Sequence, residues 1–282
     1  GLDFGPARWM LQSRDGVLAL AEDAAVPLFG GRGIVHGLRI VPPSGGVGLQ
    51  IDFGLLLEAV DVGAMARALG LPEFRGELNG EIPHARYADD QLTFDGGLSL
   101  GVFDGAVQIT RLAMERPFGT APTLSAEIDF SDIDLLRLTE VFDFGSISGR
   151  LDGHIHDLRL VDWTPVRFDA ELATRRGPAV RQRISQRAVR NISSVGDSSF
   201  VSSLQGRLIG LFDDFGYRRL GIRCRLENEV CLMGGLGDPH TPRSDSSGFT
   251  IVEGAGLPRL TVVGYNRRVD WPTLVERLKA IG

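Results

Sequence analysis

Few residues in this chain have the type and spacing for chemistry. His154-Ile155-His156, flanked by Asp152 and Asp157, is the best metal-binding candidate. On a strand the side chains at i and i+2 share a face, so two imidazoles there could hold one ion. Leu151 and Ile155 take the opposite face, which makes the histidine face the solvent face. A similar segment earlier in the chain carries Glu81 and Pro83 at the matching positions, a poor echo of a ligand pair. The pair therefore reads as solvated histidines, with a metal-dependent hydrolase as a remote third reading. Gly145-Ser-Ile-Ser-Gly149 lacks the central serine of a nucleophile elbow. Gly30-Gly-Arg-Gly33 and Gly254-Ala-Gly256 lack phosphate-loop spacing and its Lys-Ser/Thr, and read as turns. No enzyme, cofactor or metal is expected.

Two further groups concern binding and redox state. Between Glu171 and Asp197 the chain places six arginines and no acid: Arg175, Arg176, Arg181, Arg183, Arg187 and Arg190. Val180, Ile184, Ala188 and Ile192 recur at i, i+4, which predicts an amphipathic helix from Pro178 with the last four arginines on its other faces. Such a helix suits phosphate-bearing headgroups or an acidic partner. No aromatic residues are interleaved for stacking on bases, so nucleic acid is not expected. Cys224 and Cys231 flank Asn228 between two alternating runs, which suggests a hairpin. A turn at Glu227-Asn228 sets the cysteines opposite each other; one at Asn228-Glu229 sets them diagonal. Free buried thiols and a disulfide both remain open, and a disulfide implies an oxidising compartment such as the periplasm.

The elements around these residues are organised by a repeat. Phe74-Arg-Gly76-Glu-Leu78-Asn-Gly80-Glu-Ile82 returns 73 residues later as Ile147-Ser-Gly149-Arg-Leu151-Asp-Gly153-His-Ile155, with the skeleton x-G-x-L-x-G-x-I. Each follows a short apolar helix pattern opened by Val60-Asp61 or Ile133-Asp134. Phe29, Gly31 and Leu38 recur as Phe103, Gly105 and Leu112, and Ile51-Asp52-Phe53 recurs as Ile128-Asp129-Phe130. The chain thus holds two copies of one unit, about 18–92 and 93–172, and fixed-period similarity implies stacked neighbours.

With 282 residues the chain has enough length for a large core in one or two domains. The 37 glycines fall between short apolar runs, which argues for many strands with tight turns. A net charge of −6 gives no further case for nucleic acid. The fold class expected is mainly β with a few helices: a repeated, curled antiparallel sheet over 1–172, and a cap of helices and a cysteine hairpin over 173–282. Helices are expected at 58–70, 132–142 (capped by Ser131 or Asp132), 178–192, about 200–212, and from Asp270 to the end. Strict alternation gives each strand one apolar face. The residues expected to line that face are Leu92, Phe94, Leu98, Leu100, Val102, Leu124, Ile128, Phe130, Leu151, Ile155, Phe168 and Leu172. A filled sandwich core would use the same pattern.

The repeated x-G-x-L-x-G-x-I strand after its Ile/Val-Asp helix resembles the AsmA-like family of Gram-negative envelope proteins. The tail, Arg181-Gln-Arg-Ile-Ser-Gln-Arg187, Cys224 with Cys231, and Tyr265-Asn-Arg-Arg-Val-Asp-Trp271, is similar to the carboxy-terminal region of the YdbH-type branch. The resemblance covers most of the chain. It implies a long curled sheet with an apolar interior that carries phospholipids across the periplasm, and an inner-membrane anchor in a segment upstream of Gly1. It also implies no catalytic residues, and a periplasmic disulfide at Cys224–Cys231. The alternative is an assembly module that binds outer-membrane or periplasmic proteins by edge-strand addition.

Overall fold

The structure is a computed structural model and describes residues 7–68, 75–175, 181–195, 212–237, 248–257 and 259–280. It is mainly antiparallel β with short helices, the class the alternation predicts. The chain forms two compact units: Gly1–Val102 with Ala106–Asp129 and Asp157–Pro165, and Phe103–Gly105 with Phe130–His156 and Val166–Gly282.

In the first unit the strands β1 (Leu11–Arg14), β2 (Val17–Leu20), β3 (Ala24–Leu28), β4 (Gly31–Val41), β5 (Gln50–Asp61), β6 (Gly76–Ala88) and β7 (Gln91–Val102) pair antiparallel. β2 and β3 both lie on β4, which is followed by β5, β6 and β7. The register sorts the side chains. Val35, Leu55 and Ile82 are linked through the pairs Val35↔Leu55 and Leu55↔Ile82, and Phe53↔Ala85↔Phe94 and Ile40↔Ile51↔Tyr87↔Leu92 form parallel rows. The other face carries Arg39↔Asp52↔Arg86↔Thr93. One face is therefore oily and the other mainly polar.

Bulges keep the two faces apart. A single extra residue inverts the parity of everything beyond it. β4 carries its extra residue beside Gly37, β5 at Ala59, and β6 at Pro83-His84. On β6 the apolar side runs Leu78, Gly80, Ile82 and then Ala85, Tyr87. Proline fits there because a bulge needs no ladder hydrogen bond from it.

The bulge at Ala59 opens the helix α1 (Val62–Ala68), and the second copy builds the same corner. There β9 (Thr123–Asp134) runs into α2 (Leu135–Val141). Ala59 and Asp132 both adopt positive φ, 52° and 57°. The Ala59 amide donates to Asn79 Oδ1 at 2.8 Å and the Asp132 amide to Asp152 Oδ1 at 2.8 Å. Asp61 and Asp134 donate their amides to the carbonyls of Phe29 and Phe103. Each then caps its helix: Asp61 Oδ1 accepts from Ala64, and Asp134 Oδ1 from Leu136 and Arg137. The helices are shorter than 58–70 and 132–142, because the bulge keeps Glu58–Asp61 and Thr123–Asp134 in strands. The cap is Asp134, not Ser131 or Asp132.

Gly31 and Gly105 admit this corner. A methyl on Gly105 would lie 2.6 Å from the Asp132 carbonyl oxygen, and one on Gly31 would collide with the Glu58 and Ala59 carbonyls. The repeated Gly80 and Gly153 are covered by Leu98 and Leu172, whose Cδ2 atoms would lie 2.7 Å from an added Cβ.

The second unit has a filled interior. β14 (Asp214–Glu227) pairs with β12 (Thr164–Thr174), β13 (Arg183–Ser185), β15 (Val230–Gly235) and β16 (Phe249–Gly254). β10 (Ile147–Ser148) adds to β13, β17 (Val262–Gly264) to β16, and β18 (Arg268–Asp270) to β15. Phe215, Phe249, Ile184, Leu226 and Val252 are among its fully buried side chains. Tyr217, also buried, donates to the Ser148 carbonyl at 2.7 Å; burial raises its pKa above that of a free phenol.

The amphipathic stretch divides differently from the expected helix. Arg183–Ser185 is strand, with Ile184 paired to Ile147 and Phe215, and α3 spans only Gln186–Val195. Ser185 Oγ accepts from the Ala188 amide and so caps the start of the helix there. Burying Ile184 between two strands outweighs helical periodicity. Pro178, Val180 and nearly all of the expected 200–212 helix lie outside the described residues; Phe212 and Asp213 are not helical. The last helix, α4 (Trp271–Lys279), begins as expected at Asp270, which accepts from Thr273 at 2.9 Å.

Gly31→Ala and Gly105→Ala should each cost about 1–3 kcal/mol, as overpacking against backbone does. Gly101→Ala, where the nearest atom to an added Cβ is 3.6 Å away, should be within roughly 0.5 kcal/mol of wild type. Urea unfolding of the three variants measures the difference.

Candidate functional site: an oily sheet face

Among the described residues, the first unit's apolar face is closed at one end and open at the other. Val60, Val62, Ala66, Leu57, Leu78 and Val102 are buried where α1 meets the sheet. Away from α1, Ile40, Ile51, Phe53, Tyr87, Leu92, Phe94, Leu98 and Leu100 stay half-buried. Ala85, between Phe53 and Phe94, is covered by its neighbours at 0 % exposure. In a filled core the large side chains would be the buried ones. Among the described residues, the largest side chains below 2 % exposure in this unit are only Val60, Val62 and Thr123, whereas Phe215 and Phe249 reach that level in the second unit. β7 is the clearest case, because no more than Val102 of its expected lining residues is buried.

The open end carries an aromatic residue still further into solvent. Phe118, 77 % exposed, follows β8 (Gly105–Glu115) and meets Tyr87 edge-on at 5.4 Å. Tyr87 belongs to the oily face, so the apolar surface continues from Ile51 and Leu92 through Tyr87 to Phe118. The alternation alone did not single out Tyr87 or Phe118. Tyr87 lies beyond the Pro83 bulge, and Phe118 lies in a loop, where alternation carries no signal.

The remaining expected lining residues divide. Leu124, Ile128 and Phe130 on β9 are half-buried. On β11 (Arg150–Val161), Leu151 is buried and Ile155 half-buried. Phe168 is buried opposite Leu226, with its ring edge-on to Trp271 at 5.1 Å, and Leu172 lies opposite Ile222. Phe168 and Leu151 thus serve the second unit's core.

The four arginines of the expected headgroup surface also separate. Arg183 pairs with Asp214 through Nε and Nη2 of its guanidinium, and its hydrogen bonds hold the Asp214 carboxyl below the usual carboxylate range. Arg187 pairs with Asp143. Arg181 and Arg190 are exposed, Arg181 ahead of β13 and Arg190 on α3. Two of the four charges therefore already have carboxylate partners.

His154 and His156 stack at 4.2 Å between ring centres and are half-buried rather than fully in solvent. Among the described residues no group of three metal-ligating side chains gathers. No helix of the described residues is long and apolar enough to cross a membrane.

Cys224 and Cys231 form a disulfide, with sulfurs 2.07 Å and Cα atoms 5.5 Å apart. The turn is Asn228-Glu229, both at positive φ, so Leu226 faces Cys231 and Cys224 faces Met233. The cysteines are diagonal, and a two-residue turn with both positions left-handed forms here without glycine. Cys231 is fully buried with Val269 and Leu274, and Cys224, Met233 and Trp271 pack against them.

Replacing both cysteines by serine should destabilise the second unit by about 2–3 kcal/mol, from the entropy of so short a closed loop. Thermal unfolding should show the loss, and reductant should lower the wild-type midpoint without affecting the double variant.

Compared with protein-family models, curated proteins and solved structures, the chain matches none of them.

Proposed function

We propose that this chain is a non-enzymatic lipid-carrying segment of a phospholipid transport protein, which shields acyl chains against the oily face of β4–β7. The observation that carries this reading is the half-burial of Ile51, Phe53, Leu92, Phe94, Leu98 and Leu100, in a unit where the small residues are the fully covered ones. Each methylene moved from water onto such a surface contributes about 0.8 kcal/mol. Several acyl carbons would satisfy the face without specific polar contacts. A surface without anchoring charges binds successive positions nearly equally, which lets a lipid slide.

The closed end at α1 and the open end at Tyr87 and Phe118 give the face a direction. Acyl chains would enter beside Phe118, with the headgroup left in water. The arginine surface has a minor part in this reading, through Arg181 and Arg190, since Arg183 and Arg187 are matched by Asp214 and Asp143. A periplasmic location, held to the inner membrane, belongs to the same proposal; the disulfide supports the oxidising compartment. No nucleic acid or cofactor enters it. A role in envelope assembly is the second reading, favoured by the exposed edge of β1.

The test uses Leu92→Asp combined with Leu98→Asp. Both sites are half-buried, so the fold should survive, which circular dichroism checks. Native mass spectrometry after incubation with phosphatidylglycerol and phosphatidylethanolamine vesicles should show bound phospholipid on the wild type and at least a tenfold loss on the variant, about 1.4 kcal/mol. Equal loading of the two proteins, or an empty wild type, contradicts the proposal.

A further inference from the structure

The β1–β2 hairpin is a third occurrence of the repeat's outer hairpin. Its turn, Asp15-Gly16, has positive φ at both residues, as do Asp89-Asp90 and Asp162-Trp163, 74 and then 73 residues further on. The registers match residue for residue. Leu11↔Leu20, Gln12↔Ala19, Ser13↔Leu18 and Arg14↔Val17 on β1–β2 correspond, 74 positions on, to Ala85↔Phe94, Arg86↔Thr93, Tyr87↔Leu92 and Ala88↔Gln91 on β6–β7. β1 is thus the counterpart of the last four residues of β6.

The surroundings differ on one side. β6 has a second neighbour: Ile51, Asp52 and Phe53 of β5 pair with Tyr87, Arg86 and Ala85. In the second copy β11 likewise lies beside β9, the strand that carries Ile128-Asp129-Phe130. Among the described residues β1 pairs with β2 alone, and its four residues are all exposed. The burial contrast follows. Ala85, with a strand on either side, is 0 % exposed; its counterpart Leu11 is 51 % exposed. Trp9 and Met10, just ahead of β1, are also exposed. Trp9 and Leu11 share the parity that continues the oily face through Leu18 and Ile40. An exposed strand edge offers unpaired amides and carbonyls to any segment that can adopt its register.

We propose that the open edge of β1 receives an antiparallel strand of alternating apolar residues, in the register that β5 takes on β6. The incoming strand sets a large apolar residue opposite Leu11, where Phe53 faces Ala85, and a β-branched one opposite Ser13, where Ile51 faces Tyr87. A polar or acidic residue falls opposite Gln12, where Asp52 faces Arg86. The partner is thus a segment of Ile-Asp-Phe type. This inference goes beyond lipid carriage and does not depend on it, because it rests on backbone register.

A labelled peptide with the sequence of residues 48–58 is the probe, titrated against the whole chain by fluorescence anisotropy. Saturable binding is expected, together with slowed amide exchange at Leu11–Arg14. Leu11→Asp should weaken binding about tenfold, since a charge inside a new strand pair opposes its formation. A peptide N-methylated at Ile51, Asp52 and Phe53 loses its backbone donors and should bind at least tenfold more weakly still, a comparison that needs no change to the protein. Failure to bind, binding unchanged by both alterations, or protection confined to β5–β7 would each overturn the proposal. So would a dimer built from two β1 edges that takes up no peptide. Phospholipid loading of Leu11→Asp, measured in parallel, separates this result from the lipid reading.

Discussion

The structure depends on a corner that it builds twice. A strand acquires one extra residue, Ala59 or Asp132, at positive φ, and its amide turns aside to a side-chain oxygen on another strand, Asn79 or Asp152. Two residues later an aspartate binds the carbonyl of a phenylalanine at a hairpin turn and caps a helix. The corner requires backbone contact so close that a side chain on Gly31 or Gly105 would collide with a carbonyl. Once it forms, strand direction, helix start and the parity of the apolar face are fixed together. The two corners differ in what surrounds them. Arg150 and Arg175 brace the second, reaching Asp132, Asp134 and Asp152, whereas Glu77 accepts from Asn79 beside the first.

With the corner shared, the units differ in what lies on the apolar face. In the first, α1 covers the oily face at one end and leaves the rest to half-buried Leu, Ile and Phe. In the second, β13–β18 supply enough large side chains, Phe215, Phe249 and Leu226 among them, to fill the interior. The same alternating pattern therefore ends in a covered core in one unit and an uncovered apolar surface in the other. Alternation states which residues share a face; it does not state whether anything is packed on that face.

This sets the boundary of what the sequence makes legible. The repeat, the β class, the paired glycines, Asp270 as a cap and the face shared by Leu92, Phe94, Leu98 and Leu100 all follow from local spacing. The bulges do not, because Ala59 and Asp132 carry no residue-type signal for positive φ strong enough to act on. The helices consequently start three or four residues later than the apolar spacing predicts. Ile184 illustrates a second limit. Its i, i+4 partners predict a helix, but pairing with Ile147 and Phe215 places it in a strand, a long-range effect that a periodicity window does not contain. The cysteine register turned on whether Asn228-Glu229 could form a tight turn without glycine, a question decided by the pairing of Leu226 with Cys231.

The central claim is that the open half of the oily face is where acyl chains lie. A phospholipid with a photoreactive group on its acyl chain, cross-linked to the whole protein and mapped by peptide mass spectrometry, tests it most directly. The account predicts adducts on β5–β7, at Ile51, Phe53, Leu92, Phe94 or Leu98, and on Phe118. Adducts confined to α3 and its arginines, or spread evenly over both units, would contradict it.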